Sequence, residues 1–329
     1  MKPGPSLKYL IQEYSIYSLY FAPRGKERLL FLGDQICRRH VNFNDKLVGI
    51  IGDEGSGKSS LIRGMFPGLE LTNDDDRLDT HKIMQVRNLD ENFGNATTFH
   101  IDMRFQTAFT QMHEIVDFVI KAIDHGRRVV VEHFDLLYPA LQIPADIMVG
   151  IGEEIIVVRP TVFGPSPQNV YDIVHMSLRY RKMAHTVEDI TIQLLQEEFG
   201  INHSVFFSSD IKYGFLLRFT ELVELDLNKL SARIREILDA DMPVRYHDED
   251  HIVIGEHVLR CSGPRLHMRS TAEVKDFKLI KQFIRDEKTD TYCLIGLLDQ
   301  QEDDFCKLNN FQFCHSDLLL SPREKLGKL

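Results

Sequence analysis

Gly52-Asp53-Glu54-Gly55-Ser56-Gly57-Lys58-Ser59 reads G-x-x-x-x-G-K-S, behind the apolar run Leu47-Val48-Gly49-Ile50-Ile51 and ahead of Ser60-Leu61-Ile62-Arg63. Run, glycine-rich turn and helical continuation together predict strand, loop and helix. A turn of this kind presents backbone N–H groups to phosphate oxygens, and the dipole of the following helix adds positive potential at the same place. Gly52, Gly55 and Gly57 permit backbone angles and close approaches that a side chain would block. Lys58 is assigned to the terminal phosphates and the Ser59 hydroxyl to Mg2+. The whole segment, with Asp53, Glu54, Ser56 and Ser60, is the expected binding surface for ATP or GTP.

From Asp45 onward, apolar strand-like runs alternate with helical stretches, the pattern of a parallel sheet with crossover helices. Leu69-Glu70-Leu71-Thr72 closes in Asn73-Asp74-Asp75-Asp76, and Arg127-Arg128-Val129-Val130-Val131-Glu132-His133-Phe134-Asp135 is a buried strand with acids at its carboxyl end. Ile147–Ile151 and Ile155–Val158 complete the sheet. Ligands collect at the carboxyl ends of such strands, so Glu132 or Asp135 is placed to hold Mg2+. One of the three aspartates, taken as Asp75, is placed to accept a proton from a substrate hydroxyl. Lys58, Asp75 and Glu132 form the expected catalytic set, and Arg179 and Arg181 are the candidate arginines for a transferred phosphate.

Residues 45 to 160 resemble the P-loop kinases that include uridine kinases. The resemblance is carried by the loop, by the acidic cluster after the second predicted strand, and by Val129-Val130-Val131-Glu132 followed by Leu136-Leu137-Tyr138-Pro139-Ala140-Leu141. It implies a P-loop NTPase domain with kinase-like chemistry. One departure stands out: the glycine that follows the glutamate in that family is His133 here.

The second half of the chain supplies four metal-ligating side chains. His185 and Asp189 are spaced i and i+4 on a predicted helix and share a face, while Cys261 and His267 lie on one strand-to-loop segment, so the two pairs can converge on one tetrahedral ion such as Zn2+. Residues 183 to 282 resemble the second additional domain shared by threonyl- and alanyl-tRNA synthetases and freestanding alanyl-tRNA editing proteins. The motifs are His185-Thr186-Val187-Glu188-Asp189, the strand Lys212-Tyr213-Gly214-Phe215-Leu216-Leu217-Arg218-Phe219, Cys261-Ser262-Gly263-Pro264, and Ser270-Thr271-Ala272-Glu273-Val274 leading to Phe277-Lys278-Leu279-Ile280. The resemblance implies an α+β editing-like domain whose site residues line a pocket for a mischarged amino acid on tRNA. Asp189 replaces the family's second histidine, and Arg265 and Leu266 are additional between the cysteine and His267. His247, His251 and His257 are expected to be solvated loop residues.

The chain of 329 residues is long for one core, and the expected organisation is an N-terminal helical segment (1–44), a nucleotide-binding domain (45–168), the synthetase-like domain (169–285) and a C-terminal extension (286–329). Residues 6 to 40 are expected to be helical, and the run Tyr292–Leu298 to be one buried strand or short helix. The 43% hydrophobic and 27% charged composition suits a soluble protein, and neither a membrane-length apolar run nor a signal peptide is evident, so a cytoplasmic location is expected. Five scattered cysteines, Cys37, Cys261, Cys293, Cys306 and Cys314, point to reduced thiols. A net charge of −10 gives no global nucleic-acid footprint, although Lys229–Arg235 and Lys275–Arg285 supply basic segments. No aminoacylation core is present. Three functions follow: a nucleotide-dependent phosphotransferase or ATPase recognising tRNA, a nucleoside or an aminoacyl group; an aminoacyl-tRNA deacylase gated by nucleotide; or a non-catalytic nucleotide switch that binds tRNA.

Overall fold

Leu47–Gly52 (β2) is buried at every position. Its side chains alternate between two cores, Leu47 and Ile51 on one face of a sheet, Val48 and Ile50 on the other. A strand buried on both faces must lie inside a sheet that is covered on both sides, which explains its unbroken apolar sequence. The computed structural model describes residues 17–23, 25–74, 77–78, 97–202, 206–211, 214–261 and 263–298.

The fold is mixed α/β. Its largest sheet has six strands in the order Tyr17–Phe21 (β1), Glu154–Val158 (β8), Ile147–Ile151 (β7), β2, Arg128–Glu132 (β6) and Thr98–Asp102 (β5). Asn73–Asp74 (β3) and Arg77–Leu78 (β4) form a separate short ladder. The four strands from β7 to β5 are mutually parallel, whereas β8 is antiparallel to β7 and β1 to β8. The sheet is therefore mixed and not the all-parallel one the sequence predicts. Only Gly152 and Glu153 join β7 to β8, and so short a connection can only reverse the chain.

Two further expectations are corrected. Residues 6 to 40 are not helical throughout: Tyr17–Phe21 is a strand, running from Tyr17 opposite Val158 to Phe21 opposite Glu154. Its aromatic-rich sequence suits a strand where the sheet offers an edge. Residues 6–16 lie outside the described residues. Leu69–Thr72 is a loop, and its expected place in the sheet is taken by β5, whose polar His100 and Asp102 disguise a strand that is buried at four of its five positions.

Lys26–His40 (α1) and Lys58–Met65 (α2) cover one face of the sheet through Leu29, Ile36, Leu61, Ile62 and Met65. The short Met103–Gln106 (α3) follows β5. Met112–Asp124 (α4) and Phe134–Leu141 (α5) cover the other face, together with Val170 and Val174 from the long helix Pro167–Glu197 (α6). A Cβ on Gly33 of α1 would meet the Leu61 carbonyl, and one on Gly64 of α2 would meet the Leu30 carbonyl. These two glycines let α1 and α2 touch backbone to backbone, which fixes the helix that starts at the glycine-rich loop.

The chain divides into two compact units between Leu178 and Arg179, within α6. In the second, the later part of α6 and Leu227–Asp239 (α7) share a core with Gly214–Phe219 (β10), which pairs with Phe206–Ile211 (β9) in one sheet, and with the three-stranded meander Val244–Asp248 (β11), His251–Ile254 (β12) and His257–Arg260 (β13). Thr291–Leu298, grouped by sequence with the C-terminal extension, is a strand of that sheet. It pairs with β10 on one side and with Phe277–Leu279 and Ile284–Asp286 on the other. No helix among the described residues is long and apolar enough to cross a membrane.

Candidate functional site

The parallel strands bring three chain segments to one edge of the sheet. β2 ends at Gly52, and in its register Ile50 lies opposite Glu132, which in turn lies opposite Asp102. The glycine-rich loop crosses this edge. Gly55 and Gly57 hold φ angles of 75° and 100°, left-handed values that favour glycine. Ser56 N–H donates to the Asp53 carbonyl at 3.3 Å, and the first helical bond runs from Leu61 N–H to the Gly57 carbonyl at 3.0 Å. The N–H groups of Lys58, Ser59 and Ser60 thus precede the helix's own ladder, at the positive end of its dipole.

Lys58 is 6% exposed, and its ammonium folds back to donate to the Asp53 carbonyl at 2.8 Å. Burial brings its pKa below the ordinary lysine value, against the pull of Glu132 and Asp102. Ser59 Oγ lies 3.4 Å from Glu132 Oε1, and His100 Nε2 approaches the same oxygen to 3.2 Å. Burial by itself would raise the Glu132 pKa, but the His100 hydrogen bond and the Lys58 charge outweigh it, and the carboxyl sits below its usual range. Asp53 Oδ2 meets His175 Nδ1 at 2.6 Å, and the His175 ring stacks on Tyr171 with centroids 5.3 Å apart.

His133 follows Glu132 with left-handed angles, φ 57° and ψ 48°, and is 3% exposed. Burial, then the charges of Lys58 and Arg104, push its pKa down to about 3. Its Nδ1 and Asp135 Oδ1 are buried without a hydrogen-bond partner among the described residues, and burial raises the Asp135 pKa. Buried polar atoms are rarely left unpaired without a reason, and here they share the field of two cations. His133 also predicts a pH dependence. The native state excludes the charged imidazole while the unfolded chain protonates near the ordinary value of 6.5. Its contribution to stability is therefore complete above that pH and is lost as pH falls toward about 3. His133→Asn, whose side chain tolerates left-handed angles, is expected to flatten the acid-side decline in denaturant midpoint between neutral pH and about 4. Parallel curves for variant and wild type would show that the imidazole is not excluded.

In the second unit, His185, Asp189, Cys261 and His267 converge, with one ligand atom from each lying within 4.8 Å of all the others. Helical spacing brings His185 and Asp189 to one face of α6, and the end of β13 delivers Cys261. His185 Nδ1 donates to the Leu266 carbonyl at 3.1 Å, and His267 Nδ1 to the Pro264 carbonyl at 3.3 Å. Both anchors leave Nε2 facing inward: His185 Nε2 is 3.6 Å and His267 Nε2 3.8 Å from Cys261 Sγ, and His267 Nε2 is 3.0 Å from Asp189 Oδ2. Backbone carbonyls that fix the ring nitrogen remote from the centre are what metal-binding imidazoles use. Gly263 N–H donates to Cys261 Sγ at 3.3 Å. The additional Arg265 and Leu266 are absorbed by a turn in which Leu266 N–H donates to the Gly263 carbonyl at 3.0 Å. That turn carries the Leu266 carbonyl back to His185. A Cβ on Gly263 would sit 3.0 Å from His185 Cε1, so the approach leaves little room for another residue there.

Asp75 and Asp76 lie outside the described residues, as do Cys306 and Cys314, and Asp74 is placed only by its pairing with Arg77. Arg179 is exposed and Arg181 is 2% exposed, both on α6 in the second unit. His247 and His257 are exposed, and His251 pairs with Asp248 at 2.8 Å, outside the converging group. Sequence reasoning missed His100, Thr72, Asp102 and Arg104. Their one signal is the polar alternation of Thr98-Phe99-His100-Ile101-Asp102, which marks His100 and Asp102 as neighbours on one strand face. No protein-family model matches the chain, and no curated protein matches it.

Proposed function

We propose that the first unit binds ATP or GTP with Mg2+ and transfers or hydrolyses the terminal phosphoryl group. The observation that carries this reading is Ser59 Oγ set 3.4 Å from Glu132 Oε1, beside a buried lysine at the start of a helix. Loop and helix N–H groups, from Gly52 to Ser60, would receive the phosphates, and Lys58 would neutralise charge on the terminal ones. Ser59 and Glu132 would hold Mg2+, which when bound offsets the charge that develops on the phosphate oxygens. Phosphoryl transfer asks the protein mainly to position groups and to balance charge. His133 and Asp135 follow Glu132 on the same edge, where the buried His133 Nδ1 and Asp135 Oδ1 have no hydrogen-bond partner among the described residues. The resemblance to uridine kinases favours a hydroxyl acceptor, and the synthetase-like second unit favours tRNA or a nucleoside as its source.

The test is turnover of ATP and GTP labelled at the γ-phosphate, with and without deacylated tRNA and a nucleoside panel, with Lys58→Ala as the blank. Label on an added acceptor, or phosphate release above the blank, is expected. Binding without turnover would leave a nucleotide switch, and neither binding nor turnover would remove the proposal.

A second reading concerns the second unit, where the converging nitrogen, sulfur and oxygen ligands suit Zn2+. Four protein ligands leave no open position, so we infer a structural ion in preference to the hydrolytic site of an aminoacyl-tRNA deacylase. Release of amino acid from mischarged tRNA, dependent on added metal, would reverse that preference.

A further inference from the structure

His100 has no place in the sequence motifs, yet it is the side chain that holds Glu132. It lies on β5 opposite Val130, on the strand face that carries Asp102, so its ring reaches diagonally across to the carboxylate. Thr72 N–H donates to His100 Nδ1 at 3.1 Å, and the Thr72 hydroxyl is 3.1 Å from the same nitrogen. Asp102 N–H donates to Thr72 Oγ1 at 3.2 Å, which leaves the hydroxyl proton for His100. Nδ1 is thus an acceptor, and the ring proton belongs on Nε2, where it donates to Glu132 Oε1 at 3.2 Å. The chain of donors runs one way, from the Asp102 amide through Thr72 and His100 to the carboxylate. His100, Thr72 and Glu132 are each no more than 5% exposed, so water does not compete for these bonds.

Resting on the nucleotide reading above, we propose that His100, locked in its Nε2–H tautomer by Thr72, is a positioning residue for Glu132. It engages Oε1, the oxygen that also faces Ser59 Oγ, and so fixes the rotation of the carboxylate that would share the ion with Ser59. Residues that orient a ligating carboxylate in this way typically govern metal affinity by about 10- to 100-fold. The same contacts tie the segment that ends at Thr72 to Glu132, so the ion site and the chain leading to Asn73 and Asp74 share one hydrogen-bonded support.

Two measurements test this. In the apo protein, nitrogen NMR of isotope-labelled histidines, with His100→Gln used for assignment, is expected to show His100 protonated on Nε2 and bare on Nδ1. The opposite tautomer would overturn the proposal without touching the nucleotide reading. Mn2+ binding, followed by electron paramagnetic resonance with triphosphate present, is expected to weaken about 10- to 100-fold in His100→Ala. Metal-free triphosphate binding should change less than about threefold, the scatter expected of a group that contacts no phosphate. His100→Gln, which can return an N–H donor near the Nε2 position, should recover much of the Mn2+ affinity. It also serves as the test variant if His100→Ala does not fold. Unchanged Mn2+ affinity in a folded variant would reduce His100 to a satisfied core residue. A wild-type protein that binds neither triphosphate nor Mn2+ would defeat both readings together.

Discussion

Lys58→Ala is expected to lower triphosphate affinity roughly 100-fold, about 2.7 kcal/mol, the scale of one charge-assisted hydrogen bond lost from the terminal phosphates. The apo protein should fold as before. Lys58 is 6% exposed, and its surroundings already disfavour its charge, so a neutral side chain relieves a desolvation cost while giving up one bond to the Asp53 carbonyl. A lysine held at that cost is more readily explained by an anion it meets than by stability. Calorimetric titration of both proteins checks the prediction, and equal affinities would contradict it.

The second large effect is expected at the converging group of the second unit. The purified chain should hold about one Zn2+, and excess ion at roughly 100 times its dissociation constant should add about 2.7 kcal/mol to unfolding stability. Cys261→Ser keeps the shape of the side chain but exchanges a soft donor for a hard one. It should abolish the thiolate charge-transfer absorption of the Co2+-substituted protein and most of the gain in melting temperature. Asp189→Ala should lower affinity while leaving that absorption in place, because the thiolate remains. If Zn2+ leaves the melting temperature of the wild type unchanged, the four side chains are a hydrogen-bonded core cluster, with His267 and Asp189 as its ion pair.

The parts of the fold that were legible in the sequence are those where one residue pattern has one structural solution. The apolar run of β2 leads into left-handed glycines and then a helix, and the i and i+4 pair of His185 and Asp189 meets a cysteine and a histidine held by a tight turn. What stayed hidden depends on distant partners. β5 is short and polar, and its burial makes sense only once His100 has Thr72 and Glu132 to bond and Asp102 caps α3 by accepting from Arg104 and Phe105 N–H. The direction of β8 is set by the brevity of one turn, although its Val and Ile residues suit either direction. β1 is a strand because β8 offers it an edge. His133 looked like a mere departure from a glycine, yet the structure gives it the left-handed angles for which a glycine is best suited.

The loop from Gly52 to Ser59 is proposed to bind a nucleoside triphosphate with Mg2+, and equilibrium titration of the wild-type chain reads that binding without any variant. ATP or GTP should bind saturably with a dissociation constant below about 1 mM in Mg2+, and more weakly when Mg2+ is chelated or Glu132 is replaced by Gln. Absence of saturable binding by both nucleotides in the presence of Mg2+ would show that the loop is not a triphosphate site.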